Sequence, residues 1–177
     1  ARKSESEEVK QAFRENIARV QSIASINEIL TANDEGPAPL MPFLEKLKNQ
    51  FLLLYGAEYP IDLKLSGDDL TVSQDQATDV ALVVNELVSN AYKHAFKGRE
   101  NGEIRVILKN GERYASVTVQ DNGTGTEEIQ NEGNFGMMLV QMTVKDKLKG
   151  KVYVESGENG TSVTFDFLID KSTETGI

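Results

Sequence analysis

Between residues 4 and 30 the apolar side chains Val9, Phe13, Ile17, Val20, Ile23, Ile26 and Leu30 recur at spacings of three and four with charges between them. This period predicts an amphipathic helix. At about 1.5 Å per residue it would be roughly 40 Å long, more than one small packed layer needs, so part of its stripe is expected to meet another helix. Residues 31–42, TANDEGPAPLMP, gather three of the four prolines and a glycine and read as a linker. Residues 43–55 are helical in period, and 61–65 alternate as a strand does. Ser73, with Gln76 three positions on, has the form of a capping box opening a long helix to about Phe96.

The second half changes period. GEIRVILKNGERYASVTVQD is two alternating runs that predict a hairpin turning at Asn110-Gly111, and KVYVESGENGTSVTFDF predicts another, again turning at an Asn-Gly pair. Between them lie a glycine-rich stretch, 121–136, and a helix over 137–147. The order helix, helix, strand, helix, hairpin, helix, hairpin lacks the regular alternation of a doubly wound parallel sheet. It predicts an α+β fold, a two-layer sandwich with helices on one face of a mixed sheet, preceded by the long amphipathic helix. The division expected is a helix and linker over 1–37, a main domain over 38–170 and a flexible tail over 171–177.

Composition narrows the possibilities. With no cysteine, disulfides and thiolate metal sites are excluded. A net charge of −9, from 19 Lys plus Arg against 28 Asp plus Glu, argues against a nucleic-acid groove, which needs concentrated cations. No apolar run approaches the ~18–20 residues that span a bilayer, so no membrane contact is expected of this segment.

The candidate chemistry sits in three places. In VVNELVSNAYKHAF, Glu86 and Asn90 are four apart and Lys93 and His94 follow three and four later, so a helix would carry all four on one side. A carboxylate, an amide oxygen and a cation in that order suit Mg²⁺ with phosphate, although such a row on a helix is more often a solvated surface. In DNGTG, Gly123 and Gly125 permit a sharp turn close to a ligand, while Asp121 can accept from a donor such as an adenine amino group; two glycines alone would simply make a turn. Gly133 and Gly136 flank Asn134-Phe135 just before a helix, where backbone amides favour phosphate and glycines allow a lid.

NELVSNAYKHAF, DNGTG, GNFGMMLV and ENGTSVTF, in that order, resemble the N, G1, G2 and Gly-Thr boxes of the ATPase superfamily shared by DNA gyrase, MutL and sensor histidine kinases. The NELVxNAxKHAF form is most similar to histidine kinases whose dimerisation helices are of the second HisKA type, and EEVKQAFRENIARVQSIASINEIL is similar to the second helix of their helical hairpin. The resemblance implies ATP and Mg²⁺ as cofactors, with Asn90 on the metal and Lys93 on phosphate. Asp121 would read the adenine amino group, helped through water by Thr161. Gly123, Gly125, Gly133, Gly136 and Met137 would shape the pocket and its lid, and His94 would stand beside the phosphates. Glu86 matches the position that activates water in hydrolytic relatives; in a kinase it would orient a metal-bound water or assist the incoming imidazole.

The partners implied are a response-regulator receiver domain and a second copy of the parent, paired through the N-terminal helix, in the cytoplasm. The phosphoacceptor His of such kinases lies on the first dimerisation helix, which nothing upstream of Ser4 supplies, so the chain as given is expected to bind ATP without phosphorylating itself. Two other readings remain: an anti-sigma-factor-type serine kinase, which shares the Glu, Asn and His of the N box, and a nucleotide-binding module without kinase activity.

Overall fold

A computed structural model describes residues 24, 36–55, 60–125 and 135–170. The chain divides into two units, 1–34 and 35–177, and the sheet with its covering helices belongs to the second. Apart from residue 24, the expected amphipathic helix over 4–30 lies outside the described residues, as do the first part of the linker, Gly133 and the tail.

The elements in order are β1 (Ala38–Pro39), α1 (Leu40–Tyr55), β2 (Ile61–Gly67), β3 (Thr71–Val72), α2 (Gln74–Asn90), β4 (Gly102–Lys109), β5 (Tyr114–Asp121), α3 (Phe135–Met142), β6 (Val152–Gly157) and β7 (Gly160–Leu168). Five strands form one sheet in the order β2-β4-β5-β7-β6, and β1 pairs with β3 in a separate two-stranded ribbon. Within the five-stranded sheet β2 and β4 run parallel and the other pairs are antiparallel. This is the mixed sheet expected, and strict alternation explains how it packs. Ile104, Val106 and Leu108 of β4, Val117 and Val119 of β5, and Val163, Phe165 and Phe167 of β7 share one face and are buried. α2 answers them with Ala77, Val80, Ala81, Val84, Leu87 and Val88, an i, i+3, i+4, i+7 stripe. α2 packs against both α1 and α3. On the other face Lys64 and Arg105 pair with Glu103, and the Thr118 and Thr164 hydroxyls meet at 2.8 Å.

Several local expectations need correction. The stretch read as a linker to residue 42 ends sooner, since Ala38–Pro39 is already a strand and α1 begins at Leu40. Pro42 falls in the first helical turn, where a missing N–H costs nothing. The capping box at Ser73 is half formed. Its hydroxyl accepts from the Gln76 N–H at 3.2 Å, but the Gln76 side chain donates to the Leu168 carbonyl at 2.6 Å instead of turning back.

The first hairpin does not turn tightly at Asn110-Gly111. Its last pair is Lys109 with Ser116, so residues 110–115 form a longer connection, in which the Asn110 N–H donates to the Asp68 carboxylate at 2.9 Å. In the second hairpin Gly157 pairs with Gly160, so the turn is Glu158-Asn159, one residue earlier than expected. The helix expected to Phe96 is α-helical only to Asn90 and widens into a π turn over Ala91–Ala95. α3 starts two residues before Met137 and ends in a similar π turn, Thr143–Lys147.

Candidate nucleotide site

Alternation along β5 places Ala115, Val117, Val119 and then Asp121 on the helix-covered face, so an apolar row ends in a carboxylate that is only 8% exposed. β7 repeats the change: Thr161, likewise buried, heads the row Val163, Phe165, Phe167. One end of the inward face is therefore polar. Asp121 Oδ1 accepts from the Gly123 N–H at 2.9 Å and from the Thr161 N–H at 3.2 Å, which fixes the carboxylate between the loop after β5 and the start of β7. Burial raises its pKa above the ordinary aspartate value, opposed by these two N–H groups and by the Arg99 charge. The Thr161 hydroxyl pairs with the Ser156 hydroxyl at 3.0 Å.

The loop after β5 is pressed against its neighbours. A Cβ on Gly123 would lie 2.2 Å from the Ala95 carbonyl oxygen, and one on Gly125 would lie 2.0 Å from that of Gly157. Gly125 also has φ of +68°, a backbone state that side chains with a Cβ rarely adopt. The Thr124 N–H donates to the Ala95 carbonyl at 2.9 Å. Ala95 ends the π turn, so its carbonyl has no donor within the helix and can accept from another segment; π turns of this kind often mark functional sites. Tyr92, in the same turn, stacks on Tyr55 and Phe51 of α1 at 5.0 and 6.1 Å.

Along α2 and its π turn, exposure rises in the order expected of a row leaving the core. Glu86 is 3% exposed, Asn90 and Lys93 are half-buried, and His94 is exposed. The π turn, however, breaks the α-helical spacing after Asn90, so Lys93 and His94 do not simply continue the Glu86–Asn90 row. Gly136 and Met137 are buried at the start of α3. Hydrogen bonds thus join Asp121, Gly123 and Thr161 directly, and Ala95 links them to the turn bearing Lys93 and His94.

Sequence reasoning missed three participants. Asn122 extends the β4–β5 pairing, its N–H donating to Glu103 O at 3.2 Å and its Oδ1 accepting from Glu103 N at 2.8 Å. Ser156 and Arg99 carried no local signal; Asn122 could have been suspected from its place in an Asp-Asn-Gly turn.

The end of α2, the glycine loop and the β6–β7 hairpin thus converge on a buried carboxylate, an acceptor suited to a ligand's amino group, and the glycines let these segments pack closely around it. No helix among the described residues is long and apolar enough to cross a membrane.

Comparison with known proteins identifies the family. Residues 75–171 match the histidine kinase-, DNA gyrase B- and HSP90-like ATPase family, and residues 1–55 match the HisKA_2 histidine kinase family. The sensor histidine kinase PdtaS of Mycobacterium tuberculosis is 26% identical over 168 residues, 92% of this chain and 34% of that protein. Blue-light-activated histidine kinase 2 of Erythrobacter litoralis is 34% identical over 111 residues, 60% of this chain and 32% of that protein. The chain thus spans about a third of the length of these relatives. Among solved structures, the histidine kinase domain of the Erythrobacter litoralis EL346 blue-light activated histidine kinase superposes with a TM-score of 0.75 at 25% identity, covering 88% of this chain and 75% of that one. This chain belongs to the histidine kinase-, DNA gyrase B- and HSP90-like ATPase family, with the HisKA_2 match of histidine kinases confined to its first 55 residues.

Proposed function

We propose that this chain is the ATP-binding catalytic portion of a two-component sensor histidine kinase, working in the cytoplasm. The observation that carries the reading is the buried Asp121 carboxylate, anchored through one oxygen by two backbone N–H groups at a glycine-lined end of the sheet. Its role is to accept from the adenine 6-amino group. Thr161, with its hydroxyl already paired to Ser156, supports that contact, through water in the arrangement the resemblance implies. Asn90 would ligate Mg²⁺. Among the described residues no three His, Asp or Glu side chains cluster; an ion arriving on nucleotide phosphates needs only one or two protein ligands and keeps several waters. Lys93 offsets phosphate charge, and Gly136 and Met137, at the start of α3, close the phosphate side; the resemblance gives Gly133 the same role.

When bound, Mg-ATP supplies the phosphoryl group, and the protein contributes positioning and charge neutralisation. Glu86, buried four residues before Asn90, would orient a metal-bound water or assist the attacking imidazole. The acceptor is a His on a first dimerisation helix, and the phosphoryl group then passes to an Asp of a response-regulator receiver domain. The parent works as a dimer paired through the N-terminal helix.

The test is to mix the chain with the parent's first dimerisation helix and ATP labelled in the γ-phosphate. Acid-labile label on the helix His, lost in Asn90→Ala, supports the reading. Acid-stable label on a Ser of an added substrate would favour the serine-kinase alternative, and binding without transfer the nucleotide-binding module.

A further inference from the structure

Asp121 reaches its place through the peptide that joins it to Gly123, and that peptide is held from a second direction. Arg99 lies in the connection from the π turn to β4. Its N–H donates to the Phe96 carbonyl at 3.0 Å, which turns the chain back, and its Nη1 donates to the carbonyl oxygen of Asn122. The Asn122 N–H and side-chain Oδ1 are both engaged by the Glu103 backbone of β4. Asn122 is therefore clamped on both sides, by the strand and by the guanidinium, while Thr124 two residues on is held by Ala95.

An exposed arginine on a protein surface is ordinarily solvated and contributes little. This one sits on the backbone of the loop that aims the buried carboxylate, and its charge acts on that carboxylate in the sense that favours ionisation. The neighbouring Glu103 is engaged by Lys64 and Arg105. An ionised carboxylate only accepts hydrogen bonds. Adenine presents a donor at its 6-position and guanine an acceptor, so the aim of Asp121 decides the base, and a site built around one such hydrogen bond rejects the analogue lacking the donor.

We propose that Arg99 is a positioning residue for base recognition: by holding the Asn122 carbonyl it sets Asp121 where it accepts from adenine, and without it the site loses selectivity for adenine over guanine nucleotides. The inference rests on the reading of this site as an ATP site.

The experiment is calorimetric titration of Mg-ADP and Mg-GDP into the 177-residue chain, Arg99→Gln and Arg99→Lys, with melting temperatures measured without nucleotide. Loss of a charge-assisted hydrogen bond predicts about tenfold weaker ADP binding in Arg99→Gln. GDP binding should stay within about twofold, and Arg99→Lys should recover most of the lost selectivity. An ADP-to-GDP affinity ratio unchanged in Arg99→Gln overturns the proposal, whether or not the melting temperature falls, since a fall alone assigns Arg99 a purely structural role. An unmodified chain that binds neither nucleotide overturns the ATP reading itself, and this inference with it.

Discussion

Gly123 packs so closely on Ala95 that a Cβ at position 123 would stand 2.2 Å from the Ala95 carbonyl oxygen and 2.6 Å from its Cβ. The loop after β5 and the end of α2 thus behave as one piece, joined again by the Thr124 N–H on the same carbonyl. Gly123→Ala forces them apart. Overpacking of this kind costs about 1–3 kcal/mol, and it should weaken ADP binding more than it lowers the denaturation midpoint. Paired calorimetry and urea unfolding check this; an alanine variant with unaltered affinity would show that the contact does not position the loop.

Asn90 and Asp121 should fail differently. Asn90→Ala is expected to remove the Mg²⁺ dependence of nucleotide binding, a loss of about 10- to 100-fold with metal present, while leaving metal-free ADP binding nearly intact. Titrations with and without Mg²⁺ separate the two; equal losses in both would take Asn90 off the metal.

The raised pKa of Asp121 has opposite consequences for binding and stability. Adenine recognition needs the ionised form, so ADP affinity should decline as pH falls through that pKa, starting above the ordinary aspartate range near about 4. Stability moves the other way. The native state holds this proton more tightly than the unfolded chain, so the burial penalty is absent below the unfolded pKa and grows as pH rises through the native one. Asp121→Asn should flatten both profiles. ADP titrations and unfolding midpoints across the acidic range provide the check, and an acid-side loss of affinity that persists in Asp121→Asn would place the titrating group elsewhere.

Tyr92 is 2% exposed, and its hydroxyl has no hydrogen-bond partner among the described residues. The ring stacks with Phe51 and Tyr55, so Tyr92→Phe keeps the packing and removes an unsatisfied group. A stability gain of about 1 kcal/mol is expected; a thermal midpoint several degrees lower would mean that the hydroxyl is satisfied.

Much of the fold was legible because its signals are periodic. The 2-residue repeat of β4, β5 and β7 and the stripe of α2 specify which faces meet, and the same parity that buries Val117 and Val119 brings Asp121 inward. Local turn chemistry was less reliable. Asn110-Gly111 is a strong hairpin signal, but the strands part at Lys109 and Ser116, and the Asn110 N–H is held by the Asp68 carboxylate, 42 positions earlier, a tertiary partner that leaves no local trace. The same holds within the site: the Ala95 carbonyl, the Asn122 bridge to β4 and the Ser156–Thr161 pair depend on segments that meet only in three dimensions. The π turn after Asn90 was equally hidden, since AYKHA is ordinary helical sequence.

The most direct test of the account is titration of Mg-ADP into the unmodified chain and into Asp121→Ala, with circular dichroism confirming that both are folded. The unmodified chain should bind saturably and the variant should lose about 100-fold or more, because a buried site built around one acceptor has nothing else to meet the 6-amino group. A folded Asp121→Ala chain that binds Mg-ADP as tightly as the unmodified one would contradict it.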